Sequence, residues 1–446
     1  MRRLLLLALM ALMALLPVCG PVAGADGPQA INLEFALRLA GAQNLAVALA
    51  RERVREARAV QDQDRQALYP WLAPGLGYRR HDGNLQDIVG DVFNASKQSG
   101  TAALGLIAQV EPGEAIYRSL ASRQQVRAAE AGEDAERRLA LFRAAAGYLD
   151  LCRAAAAVTA TEEATRIAAD FLRQVQEAVA AGLAFAGEVP RAEVEWERSR
   201  NLALQAREQV RLTSARLSQV LHLPPALELQ PDLAEFVPVV LVETNRSLDS
   251  LVAAALQSRP ELRQTDAQIL AARERRKGVT TGPWIPTLGA GVTVGGLVGG
   301  RNSEFSSGDD YQDYTVGLSW RLGPGGLGDR ARIRAADSRV RRAELEREQA
   351  REEITREVVE AHVRTGSLAG RLALAGRTLA AAQKLWDLTR ARREFGTGAV
   401  LETVEAEREL TRTRLEHLAT VAEHNRAQWE LWRVAGPDHP PASGKP

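Results

Sequence analysis

The stretch Tyr311-Gln312-Asp313-Tyr314-Thr315-Val316-Gly317-Leu318-Ser319-Trp320 sorts its residues by parity. In an extended chain Tyr314, Val316, Leu318 and Trp320 point to one side, and Asp313, Thr315, Gly317 and Ser319 to the other. Leu288, Ala290, Val292 and Val294 alternate in the same way with Gly289, Gly291, Thr293 and Gly295, and Leu104, Leu106, Ala108 and Val110 with Thr101, Ala103, Gly105 and Gln109. One apolar side and one small or polar side, over about ten residues per strand, is the pattern of a transmembrane barrel around water. A half-buried soluble hairpin alternates likewise, so the rest of the chain must discriminate. Trp71, Tyr78, Trp284, Tyr314 and Trp320 lie near the expected strand ends, where amphipathic rings suit a membrane interface.

Outward from these strands the chain is helical and repeats itself. Pro70-Trp71-Leu72 returns as Pro283-Trp284-Ile285 at an offset of 213, and Ala181-Gly182 corresponds to Phe395-Gly396 at an offset of 214. Agreement in spacing between weak matches is what an internal duplication predicts. The first copy, 26–240, reads as a helix over 44–68, strands near 71–80 and 101–110 around a polar loop, and long helices over 118–181 and 191–221. The second, 241–436, reads as a helix over 259–277, strands near 284–295 and 311–320, and helices over 329–395 and 401–434, followed by a tail at 437–446. Pro224, Pro225, Pro231 and Pro238 mark the connector.

A helix of about 64 residues is a rod of roughly 95 Å, too long for a single globule. Small and apolar residues step along it by threes and fours, as in Leu368, Leu372, Ala375, Leu379, Ala382 and Trp386. That is coiled-coil-like packing close enough to build a wall of helices, and an ordinary antiparallel bundle shares it.

The N-terminus predicts export. Arg2 and Arg3 precede an apolar run over 4–18, and Ala23-Gly24-Ala25 supplies small residues at a cleavage site, so 1–25 reads as a secretory signal. Cys19 offers a second end to the run, as a lipid-modified cysteine. After cleavage at Ala25 only Cys152 remains, so no intrachain disulfide is expected. A formal charge of +1 over 446 residues gives no sign of a nucleic-acid partner, and after the signal no apolar run is long enough for a helical membrane span.

Four strands cannot close a membrane barrel, because open edges in hydrocarbon leave backbone groups unsatisfied. Two chains would give eight strands and a filled bore; three would give twelve and room for water. The expectation is a mixed α/β membrane protein: a trimeric 12-stranded barrel, four strands per chain, continued by a long helical barrel and internally duplicated.

Leu68-Tyr69-Pro70, Arg259-Pro260-Glu261-Leu262, Pro286-Thr287-Leu288, the run Arg393-Glu394-Phe395-Gly396-Thr397-Gly398-Ala399-Val400-Leu401-Glu402-Thr403-Val404-Glu405-Ala406 and the closing Arg433 to Gly436 occur in an order that resembles the outer-membrane factor family, the TolC-like ducts of tripartite efflux pumps and type I secretion systems. The resemblance covers almost all of the mature chain. It implies a homotrimer in outer-membrane lipid, a periplasmic tunnel whose tip is closed at rest, a periplasmic adaptor and, through it, an inner-membrane transporter. Glu402 and Glu405 match the family's two acidic tip residues, and their spacing alone puts them on one helix face. Arg393 stands where the best-known members carry a tip tyrosine, and Gly398 where they carry an arginine, so the resemblance does not carry their latch over intact. The turns holding Gly182, Glu188 and Pro190, and Gly396 and Gly398, are the expected adaptor-docking surface.

The expected role is passive conduction of a substrate to the exterior, with a pore-free periplasmic or secreted coiled-coil adaptor as the alternative. No enzyme activity and no cofactor are expected: the histidines are dispersed, and Gly323-Pro324-Gly325-Gly326 lacks the ending of a phosphate loop.

Overall fold

The computed structural model describes residues 29–224, 226–243, 246–302, 304–394 and 400–436. The expected signal, Cys19, Gly396, Gly398 and the C-terminal tail lie outside the described residues. In chain order the elements are β1 (Gln29–Ile31), α1 (Leu33–Gln43), α2 (Leu45–Gln66), β2 (Trp71–Gln86), β3 (Val92–Val110), α3 (Pro112–Ala180), α4 (Glu188–Leu221), β4 (Leu229–Pro231), α5 (Leu248–Ser258), α6 (Pro260–Thr280), β5 (Thr287–Arg301), β6 (Glu304–Ser319), α7 (Arg330–Glu394) and α8 (Val400–Ala435).

The four long strands form one antiparallel sheet in the order β2-β3-β5-β6. Each runs beyond its apolar stretch: β2 and β3 continue to Gln86 and back from Val92, where a polar loop over 81–100 was expected. Polar residues there carry no burial signal, yet the two strands pair in register along this whole extension, from Gln86 with Val92 to Arg80 with Gln98. Trp284 belongs to a single 3-10 turn ahead of β5, and Trp320 falls just past β6, so neither lies within a strand.

At 69 residues α3 is a rod of about 100 Å, and α7 at 65 is nearly as long. Shorter helices complete the layer. Nearest the sheet the wall runs α2-α3-α6-α7, and at the far end α4-α3-α8-α7. Alanines such as Ala144, Ala145 and Ala203 are buried along the contacts and let the rods approach closely. The strand-to-helix junction is tight as well: a Cβ on Gly113, at the start of α3, would meet the Gly282 carbonyl at 2.1 Å. Pro112 opens α3 where its missing N–H costs nothing. Among the described residues no helix is long and apolar enough to cross a membrane.

Midway along the rods sits the main core. Trp429 and Trp432 meet edge to face at 5.4 Å and pack with Leu149, Leu251, Leu262 and Val358. Two elements here had no forecast, α1 and α5. Both are capped at their N-termini, by Asn32 accepting from Phe35 N and by Ser247 accepting from Ser250 N. The connector is tied down by side chains acting as a substitute strand. Asn425 accepts from Val239 N at 2.9 Å and donates to the Val237 carbonyl at 2.7 Å, while Gln428 accepts from Leu241 N and Val242 N. Tyr148 donates to Glu235 at 2.7 Å in the same belt, and burial pushes the neighbouring Cys152 thiol up to about 12, far from thiolate reactivity.

Candidate functional site: the sheet face and the helical tip

Register turns the parity of each strand into two continuous faces. Leu72, Leu106, Val292 and Tyr314 stand side by side across all four strands; the next rungs on that face carry Pro74, Leu104 and Val294 with Gln312, then Leu76, Ala102 and Gly296 with Asp310, so β6 turns polar there while the other three strands stay apolar or small. From the Leu288 rung to the Val298 rung is about 33 Å along the strand, or roughly 25 Å of height at the tilt usual in membrane barrels. The opposite face carries Ala73, Gly105, Thr293 and Asp313 on one rung and Gly75, Ala103, Gly295 and Tyr311 on the next.

Register also sorts the five aromatic residues. Tyr78 and Tyr314 share the apolar face, Tyr78 on the Val298 rung and beside the Phe305 ring at 6.5 Å. Trp284 and Trp320 sit at the helical end, the Trp320 indole N–H donating to the Trp284 carbonyl at 3.3 Å. Trp71 pairs with Ile107 and therefore lies on the small-residue face, away from the other rings.

At the other end of the molecule two helical hairpins meet. The α3-α4 turn is closed by Gly182 at φ 71°, with Leu183 N donating to the Ala178 carbonyl at 2.8 Å. This is a Schellman-type end that a residue with a side chain enters only with strain. It leaves Leu183 and Phe185 exposed, 83% and 77%, with Glu188 and Pro190 opening α4. Beneath the turn Phe171, Val175, Ala192 and Val404 form a small core that joins the two hairpins.

Arg393 lies on that core. Its guanidinium stacks over the Phe171 ring at 4.1 Å; burial lowers its pKa, and the Glu188 carboxylate opposes that shift. Glu402 and Glu405 are both exposed, on the face of α8 opposite the buried Thr403 and Val404. Glu402 is ion-paired to Arg392 of α7 at 3.4 Å, and Glu405 acts electrostatically on Arg408. Neither carboxylate is therefore bare.

Three further charged residues bind the tip, and none had been singled out from sequence. The Arg408 Nε donates to Glu195 at 2.6 Å, where the carboxylate is almost fully buried. These two residues are 213 apart, the offset of the repeat itself, so equivalent positions of the two copies pair across their junction. Glu407, 6% exposed, accepts from the Thr411 hydroxyl at 2.8 Å. Burial raises its pKa, Thr411 opposes, Glu195 adds to the rise, and Arg408 and Arg414 oppose. Nothing in the sequence marks Glu407 as buried, and the Glu195 to Arg408 pair was hidden in the repeat offset.

Among the described residues no group of three or more His, Cys, Asp or Glu side chains comes together as a metal site. The geometry is that of a wall with an apolar band at one end and a charged, tightly tied tip at the other.

The family model described as outer membrane efflux protein matches residues 36–221 and again 251–436, two stretches of equal length. Among solved structures, CusC, reported for conformational changes accompanying folding and transmembrane channel formation, superposes with a TM-score of 0.74 at 21% identity, over 91% of this chain and 92% of that one. The Campylobacter jejuni CmeC outer membrane channel gives 0.73 at 14% identity, covering 91% and 85%. The outer membrane protein VceC of Vibrio cholerae gives 0.73 at 16%, covering 91% and 96%. At these identities the likeness is one of fold, and no curated protein matches by sequence. With both halves matched by one family model, this chain belongs to the outer membrane efflux protein family, the outer-membrane ducts of efflux and secretion systems.

Proposed function

We propose that three copies of this chain close a 12-stranded barrel in the outer membrane and continue it into the periplasm as a helical tunnel. The observation that carries this is the pair of unpaired sheet edges. The strands alternate in direction from β2 to β6, so β6 of one copy can meet β2 of the next with the same antiparallel sense. A head-to-tail contact of this kind forms a ring when its rotation closes. The helical layer has matching edges. On α7, Val363, Leu374 and Leu385 recur every 11 residues and are exposed, which keeps them on one side of the helix. The other edge offers Leu45, Leu49 and Val60 of α2 and Val194, Leu204 and Leu212 of α4.

In that assembly the apolar face meets lipid and the small and polar face lines water; Trp284 and Trp320 approach the border at the helical end and Tyr78 the far border, while Tyr314 lies two rungs inside the band. Glu402 and Glu405 form two acidic rings at the narrow end, which favour cations over anions, weakened by Arg392 and Arg408. Arg393, clamped on Phe171 near Glu188, holds the tip in place of a tyrosine latch. The exposed turn around Gly182, Glu188 and Pro190, with its counterpart at Gly396 and Gly398, receives a periplasmic adaptor that connects the duct to an inner-membrane transporter. Conduction itself is passive, with the driving energy spent by the transporter.

The test is the native mass of the protein extracted from outer membranes in mild detergent. A trimer is expected; a water-soluble monomer would remove the proposal.

A further inference from the structure

At the end of the sheet away from the helices, the small-residue face turns basic. Lys97 of β3 stands directly opposite His81 of β2 and Arg301 of β5, and Arg79 is one same-face rung closer to the apolar band. On the outward face at this height Arg80 is neutralised by Asp82 at 2.6 Å. Arg79, Lys97 and Arg301 are exposed, and no ion pair joins them to another described residue. Glu304 faces Arg301 in register without closing one, and Asp309 lies two same-face rungs below. The His81 Nε2 is buried with no hydrogen-bond partner.

Like charges directly opposite one another destabilise a sheet. With Glu304 across from Arg301 but not ion-paired to it, the repulsion between Lys97 and Arg301 is only partly offset when the mouth is empty and is relieved when an anion bridges the two strands. We propose that Lys97, Arg301 and Arg79 of each copy form an anion-binding collar at the outer mouth, taking compact soluble polyanions that bear phosphate or sulfate groups. The collar's face argues for a solute, since a lipid headgroup would reach the outward side, where Arg80 and Asp82 already pair. With acidic rings at the tip, the two ends of the duct then carry opposite charge, and the collar repels cations approaching from outside. This rests on the barrel proposed above, in which that face lines water.

The experiment uses the full detergent-solubilised protein and inorganic tripolyphosphate as the probe. Titration calorimetry at low salt should show binding that weakens at least about tenfold in Lys97→Gln with Arg301→Gln, because two charge-assisted contacts are lost, and is unchanged in Arg80→Gln. In planar bilayers the same probe, added on the side of the strand loops, should block the wild type and spare the double variant. The double variant should also melt no lower than wild type, and a lower melting temperature would contradict the repulsion on which the collar depends. Equal binding by wild type and double variant, or none by a conducting wild type, would overturn the collar alone. Binding through Lys97 and Arg301 by a protein that never conducts would instead leave the collar and remove the duct.

Discussion

Arg408 illustrates how one side chain can hold two halves of a chain together. Its partner Glu195 is 6% exposed and keeps only the more distant Arg198, at 4.0 Å, when Arg408 is removed, so Arg408→Ala leaves a buried carboxylate poorly paired, an outcome worth about 1–3 kcal/mol after allowing for the exposed guanidinium. The expected result is a lower melting temperature, with a smaller loss in Arg408→Lys, followed by circular dichroism of the helical signal. Glu407 makes the opposite kind of prediction. Its folded pKa is raised by burial, so the folded state holds that proton more tightly than the unfolded chain. The stabilising contribution is then complete below the ordinary value of 4.5 and is lost as pH rises through the raised one. Glu407→Gln should match wild type in acid melts and exceed it progressively towards pH 8. A constant difference at all pH values would show that burial of the charge is not the cause. Neither residue stood out in the sequence, because in a chain rich in glutamate and arginine only tertiary packing separates a buried charge from a solvated one.

The strands were the most legible elements, and for a physical reason. A sheet with lipid on one side and water on the other must alternate, so the apolar stretches of β3, β5 and β6 can be read from parity. Their extensions at 81–86 and 92–100 could not, since polar residues occupy both faces there and even the buried position, Gln98, is polar. Helices α1 and α5 escaped notice because each spans only 11 residues and draws its stability from docking on the central core. Trp71 was grouped with the other aromatics by its nearness to a strand end alone, whereas its odd position on β2 sets it on the face opposite Tyr78. The two faces make a paired prediction. Val294→Arg puts a charge on the lipid side at a cost of about 2–4 kcal/mol and should abolish recovery of folded protein from the outer membrane. Thr293→Arg, one residue earlier and on the water side, should assemble normally with altered conductance. Equal tolerance of both would mean that the apolar band does not face lipid. In the central core, Trp432→Ala should cost about 3–5 kcal/mol through the cavity it leaves, read as a fall in melting temperature with the native mass unchanged.

For the whole molecule, closure is the claim on which the rest depends. Four strands, two free edges and two apolar helical margins are satisfied together only when copies close a ring, and twelve strands are the smallest multiple of four with room for water. The repeat and the length of the rods could be read in the sequence. How the tip is tied could not, because Arg393 on Phe171 and Glu195 with Arg408 bring together residues more than 200 positions apart. The direct measurement is single-channel recording of the purified wild-type assembly beside Glu402→Gln with Glu405→Gln. A small cation-preferring conductance is expected from wild type, with the preference reduced in the double variant. Absence of any conductance from an intact assembly, or an unchanged preference in the variant, would contradict a water-filled duct gated by those acidic rings.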